Sequence, residues 1–280
     1  MTRSIRLGIS TCPNDTFAFH GLLTKKVDWR GLEFVVELLD IQELNEQLKK
    51  GVFDVAKASF YAALQLAQEY VVLPTGSALG FGVGPLLLAG QPEQKPCVSG
   101  QLTLTPGEDT TASLLYELYY HDTTRVEEVV FSDIVPRLVR GSADFGVCIH
   151  EGRFTWQNHN LFLVEDLGER WEKETGSPLP LGGLLASRSL PDDVIVTVHQ
   201  VIRDSLLYAQ AERSSALPTM RKYAQEFDDD VLMKHVDLYV NEWTLELGEV
   251  GRDALSILSC RAHERGIGTS AQLEVFSSVS

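Results

Sequence analysis

A cysteine and a histidine stand two residues apart in the stretch "DFGVCIHEGRF", Cys148 and His150, at the end of an apolar run. If that run is a strand, the two side chains share a face. The pair could be a thiolate–imidazole dyad, part of a metal centre, a base beside a core cysteine, or a histidine that caps a strand. Neighbours on one strand lie side by side, whereas a nucleophile and its base usually come from different elements. Cys148 therefore reads as a small buried hydrophobe. A metal centre needs further ligands; Glu151 is adjacent, but no HxH or HExxH spacing occurs, so no metal is expected. The residues alone leave His150 as a capping histidine or a general base.

Two other stretches, "TCPNDT" (11–16) and "PGEDTT" (106–111), run from turns into helical patterns. A helix N-terminus offers backbone N–H groups and a partial positive charge, so it can hold a carboxylate without an arginine. Asn14, Asp15, Thr110 and Thr111 can each be simple caps. The Thr110–Thr111 pair carries more hydroxyls than one cap needs, which points it toward a ligand. The glycines of "TGSALGFGVGP" (75–85) tempt a phosphate-loop reading. The stretch lacks the Lys-Ser/Thr of a P-loop and the spacing of a dinucleotide fingerprint, so a glycine-rich crossover near the ligand is expected.

The elements that must position these residues recur in two halves. Strands are expected at 5–10, 32–39 and 53–59, with helices at 16–26, after Asp40, and at 60–69. Asp40 and Glu43 form a capping-box pattern, and Gly51 ends that helix. The second half offers strands at 101–105, 127–131 and 144–149, a helix at 112–120, and one capped by Ser132 and running to Arg140. Leu48-Lys-Lys-Gly51-x-x-Asp54 overlays Leu138-Val-Arg-Gly141-x-x-Asp144. Strands alternating with helices imply largely parallel sheets flanked by helices. A further strand is expected at 181–190, a short helix at 169–175, and C-terminal helices at 192–212 (Asp192 as cap), 214–226, 229–240 and 248–265.

The fold class is thus α/β in two lobes, residues 1–90 plus 180–280 forming one and 95–175 the other. Ligands of such sheets bind beyond the carboxyl ends of strands. That places Ser10 to Asp15, Lys57 to Ser59, Gly107 to Thr111, and Ile149 to Arg153 around a cleft.

Composition narrows the partners. With 44% hydrophobic and 22% charged residues the chain is that of an ordinary globular protein. A net charge of −15 without a basic patch argues against nucleic acid. Its four cysteines are scattered with no CxxC, which suits a reducing compartment. No run has the length of a membrane span, and the apolar residues after Arg6 stop too soon for a signal peptide, so a cytoplasmic location is expected.

In order along the chain, "CPNDTFAFHGL", "DVAKAS", "SALGFGVGPLLLA", "GEDTTASLL", "IHEGRFTW" and "DLGERWEKETGSPLPLGG" resemble the 1,4-dihydroxy-6-naphthoate synthases of the futalosine route to menaquinone. The resemblance implies a fold like the type II periplasmic binding proteins, with the ligand between lobes. It implies a carbon–carbon lyase that needs no cofactor and acts on a small carboxylate, cyclic de-hypoxanthine futalosine. It makes His150 the proton-abstracting base and assigns ligand contacts to Lys57, Ala58, Ser59, Thr110 and Thr111, with Ser77 facing the site. Asn14, in CPNDTF, joins them as a candidate. Two rivals share the fold: a chorismate dehydratase, in which CPNDTF and IHExRF are not expected, and a solute-binding protein, which would carry an export signal.

Overall fold

A computed structural model describes residues 3–149, 152–224, 228–267 and 272–277. The chain opens with β1 (Arg3–Ser10), α1 (Pro13–Ala18), α2 (His20–Leu23), β2 (Leu32–Leu39), α3 (Ile41–Lys49), β3 (Val55–Ser59) and α4 (Phe60–Gln65). Three short strands follow: β4 (Tyr70–Val72), β5 (Ala78–Gly80) and β6 (Leu86–Ala89). The second half runs β7 (Leu102–Thr105), α5 (Thr111–Tyr120), β8 (Arg125–Glu128), α6 (Phe131–Val139), β9 (Phe145–Cys148), α7 (Gly152–Thr155), β10 (Phe162–Asp166) and α8 (Leu167–Thr175). The return is β11 (Leu179–Ser187), then α9 (Asp192–Ala211), α10 (Leu217–Tyr223), α11 (Asp229–Tyr239), α12 (Glu242–Leu245) and α13 (Gly248–Glu264).

Two mixed sheets result. The first has the order β2-β1-β3-β11-β4, with β5 also on β11; the second has the order β10-β6-β9-β7-β8. β1 is parallel to β2 and β3, as β7 is to β8 and β9, while β11 and β6 are the antiparallel returns against β3 and β9. The repeated joint survives as geometry. Gly51 and Gly141 sit at φ 67° and 68°, the left-handed conformation that ends a helix. Asp54 Oδ2 accepts from Arg6 N, and Asp144 Oδ2 from Leu102 N, each at 2.7 Å. Each aspartate thus staples the first strand of its half to the third. Its carbonyl then accepts from the return strand's side, Ser187 N at 2.8 Å and Gly90 N at 3.1 Å.

Several boundaries differ from expectation. Residues 86–89 pair with β9 and β10, so they join the second sheet rather than the first lobe. The helix after β1 is broken at Phe19. Ser132 lies within α6, whose N-cap is Val130, and Asp192 is the first residue of α9 rather than its cap. The strand expected at 127–131 ends at Glu128, because Phe131 already belongs to α6. Asp40 does cap α3, its Oδ1 accepting from Gln42 N at 2.8 Å, and Glu43 completes the capping box.

One apolar cluster packs α9 and α1 under the first sheet through Ile5, Leu7, Ile9, Phe17, Val198 and Ile202. Another packs α6 on the second sheet, and the largest joins the two halves through Phe60, Leu87, Phe145, Trp171 and Leu255. The crossover between sheets depends on two glycines. A Cβ on Gly84 would stand 2.2 Å from the Cα of Gly168, so backbone meets backbone where the chain changes sheet. The expected glycine-rich crossover is present, and at Gly84 its close approach is to α8.

Candidate functional site

Strand alternation sorts the stretch Lys57-Ala58-Ser59 first. Lys57 and Ser59 face a cavity, whereas the Ala58 side chain turns into the core. Lys57 is 5% exposed, and its ammonium donates to Asp15 Oδ1 and to the Gly76 carbonyl, both at 2.8 Å. A buried charge persists only when paired in this way. Ser59 is held through its backbone, its N–H donating 3.0 Å to Asn45 Oδ1.

The turn after β1 supplies Ser10, Cys12, Asn14 and Asp15 to the same cavity. Neither Asn14 nor Asp15 caps a helix; the N-cap of α1 is Cys12, whose side chain makes no capping bond. Asn14 Nδ2 donates to Asp15 Oδ1 at 3.1 Å, and its Oδ1 lies 3.1 Å from His235 Nε2. A carboxylate only accepts, so the Asn14 amide is oriented with its nitrogen toward Asp15 and its oxygen toward His235. His235 Nε2 therefore carries the proton. A hydrogen-bonded row, Lys57–Asp15–Asn14–His235, runs along this wall.

The opposite wall comes from the second half. Thr110 is the N-cap of α5, accepting from Ser113 N at 3.2 Å, and the Thr111 hydroxyl donates 2.7 Å across to the Leu181 carbonyl on β11. Thr110, Thr111 and Ala112 line the cavity, and the first-turn N–H groups of α5 have no intrahelical acceptor. Ile149, one residue past β9, lines it too. His150 lies outside the described residues. Cys148 behind it is 3% exposed, and burial pushes its thiol up to about 12, which removes thiolate chemistry at neutral pH.

The cavity has a volume of about 100 Å³ and opens to solvent. Five of the sequence candidates meet in it: Asn14, Lys57, Ser59, Thr110 and Thr111. Ala58 and Ser77 are fully buried and outside its lining, and no described residue partners the Ser77 hydroxyl. Sequence reasoning missed His235 and Tyr239, one helical turn apart on α11, whose rings pack at 4.5 Å between centroids. Nothing local marks α11 as a cavity wall. Arg153, in the "IHEGRF" stretch, ties the start of α7 to the crossover by donating to the Gly84 carbonyl at 2.5 Å and to Asp166 Oδ2 at 2.8 Å. Phe154 beside it lies 6.3 Å from the His235 ring. Among the described residues no group of three or more His, Cys, Asp and Glu could hold a metal ion, and no helix is long and apolar enough to cross a membrane.

Two sheets of matching topology, joined by a close-packed crossover and sharing one cavity, define a periplasmic-binding-protein-like fold. The alkanesulfonate-binding protein SsuA from Xanthomonas axonopodis pv. citri, bound to MOPS, has the same architecture, with a TM-score of 0.74 at 13% identity over 98% of each chain. A family model described as menaquinone biosynthesis matches residues 5–264, and the chain belongs to that family. It is 40% identical to the 1,4-dihydroxy-6-naphthoate synthase of Thermus thermophilus over 98% of this chain and 99% of that one. It is 36% identical to the Streptomyces coelicolor enzyme of the same name over 94% of each.

Proposed function

We propose that the protein is a cytoplasmic carbon–carbon lyase that converts cyclic de-hypoxanthine futalosine to 1,4-dihydroxy-6-naphthoate. The observation that carries the reading is the shared cavity, in which Lys57, Ser59, Thr110 and Thr111 meet beside Ile149, the residue before His150. Neutral His150 takes a proton from carbon, after which a carbon–carbon bond of the former ribose breaks and a three-carbon fragment leaves. A base with a pKa near the working pH suits the first step, and enclosure protects the intermediate. The substrate carboxylate meets the first turn of α5 at Thr110 and Thr111, where the helix dipole favours negative charge. The two sheet-bearing halves act as lobes that close over the substrate. Asp109, next to that turn, already reaches across to Lys49 of α3 at 2.6 Å.

The purified protein is incubated with cyclic de-hypoxanthine futalosine and, separately, with chorismate, and products are read by mass spectrometry. Formation of 1,4-dihydroxy-6-naphthoate from the first alone is expected. Dehydration of chorismate, or binding of either compound without turnover, refutes the reading.

A further inference from the structure

The buried ion pair on the cavity wall is one-sided. Asp15 is 3% exposed, and both side-chain donors that reach it, Lys57 Nζ and Asn14 Nδ2, fall on Oδ1. Oδ2 is buried and has no hydrogen-bond partner among the described residues, although Asp15 lines the cavity. A desolvated carboxylate oxygen without a donor is costly, and a ligand that brings one recovers that cost as affinity. The carboxylate is also held from both sides. Lys57 is anchored by the Gly76 carbonyl and Asn14 by His235, so Oδ2 is presented by a fixed row of side chains.

We infer that Asp15 is a specificity-determining residue of this site, its Oδ2 accepting a hydrogen bond from a hydroxyl on the ligand ring. The inference rests on the functional reading above and adds an orientation to it. A carboxylate at Asp15 repels the carboxylate of the ligand, which goes instead to the first turn of α5. The hydroxyl-bearing end then lies against Asp15, beside the aromatic wall made by His235 and Tyr239. The selected chemical class is a flat hydroxylated ring with a single acid group at the far end.

Two probes separate the hydroxyl from the rest of the ligand: 1,4-dihydroxy-6-naphthoate and naphthalene-2-carboxylate, the same skeleton and acid without hydroxyls. Calorimetry on the wild-type protein is expected to show the dihydroxy compound bound about tenfold to a hundredfold tighter, the range of one hydrogen bond to a charged group. Asp15→Asn keeps an oxygen for Lys57 and puts an N–H where Oδ2 was, so the preference should collapse to about threefold or less. An undiminished preference in a folded Asp15→Asn variant overturns the inference. Should that variant fail to fold, infrared difference spectra of wild-type protein carrying ¹³C-labelled aspartate carboxyls decide instead. A carboxylate band that shifts with the dihydroxy compound and not with naphthalene-2-carboxylate supports the inference, and its absence overturns it. Wild-type protein that neither binds the product nor turns over cyclic de-hypoxanthine futalosine overturns both readings. Wild-type protein that does both, with the preference intact in Asp15→Asn, overturns this one alone.

Discussion

The two halves agree at one end of their strands and part company at the other. Asp54 and Asp144 make the same bonds to the first strand and the return strand of their sheets, each after a glycine in the left-handed region. Counted from those aspartates, Lys57 corresponds to Val147 and Ser59 to Ile149. One half thus sends a buried cation and its carboxylate partner toward the cavity; the other sends Ile149, just past β9, and the first turn of α5. The shared joints keep two sheets standing, while the cavity is made by what differs. A site with unlike walls can hold a ligand whose two ends differ.

The comparison can be broken in several places. His150→Ala should remove the step assigned to the second half, lowering kcat by about a hundredfold to ten-thousandfold while the melting temperature holds. A variant turning over near the wild-type rate ends the base assignment. Lys57→Met strands the Asp15 charge and is expected to cost about 3–5 kcal/mol in urea denaturation. Val147→Met, at the corresponding place, changes only packing and should cost about 1–3 kcal/mol. Equal losses would mean that the buried pair carries no special weight.

Asp54→Ala and Asp144→Ala test the shared joint. Each leaves a strand N–H without its acceptor, for about 1–3 kcal/mol, and the two should be alike. A loss confined to one half would show that the joints are equivalent only in shape.

The smallest effect concerns acid. Burial lowers the pKa of His20 and His199 below the usual 6.5, and both stand in α2 and α9, which pack on the first sheet. With the folded pKa depressed, the unfolded chain binds protons first. Stability is therefore full above pH 6.5 and falls as pH drops below it. His199→Gln, which can keep a donor toward Thr75 Oγ1, should flatten that decline in denaturant titrations at several pH values. An unchanged slope would remove His199 from the account.

Legibility followed the range of the interaction. The Asp40–Glu43 capping box and strand 32–39 were readable because their partners lie within a few residues or follow a period of two. The joints at Gly51 and Gly141 were readable because they occur twice. Ser132 was misread as a cap because hydroxyls suit caps anywhere, and only packing of α6 on the sheet started the helix two residues earlier. Asp15 was placed at the cleft but left open between a cap and a ligand contact, since its partner Lys57 is 42 residues away. Alternation along β3 could have separated Ala58 from its neighbours in advance.

The sequence by itself determined the repeated β–α units, the two-sheet class and the residues at strand ends, because local periodicity and turn chemistry carry that information. It also carried the motifs by which the family is known. Only the tertiary structure decided that Asp15 pairs with Lys57, that Asn14 joins them to His235, and that α11 closes the cavity. Those contacts join elements up to 221 residues apart, and no local preference encodes which buried charge will meet which.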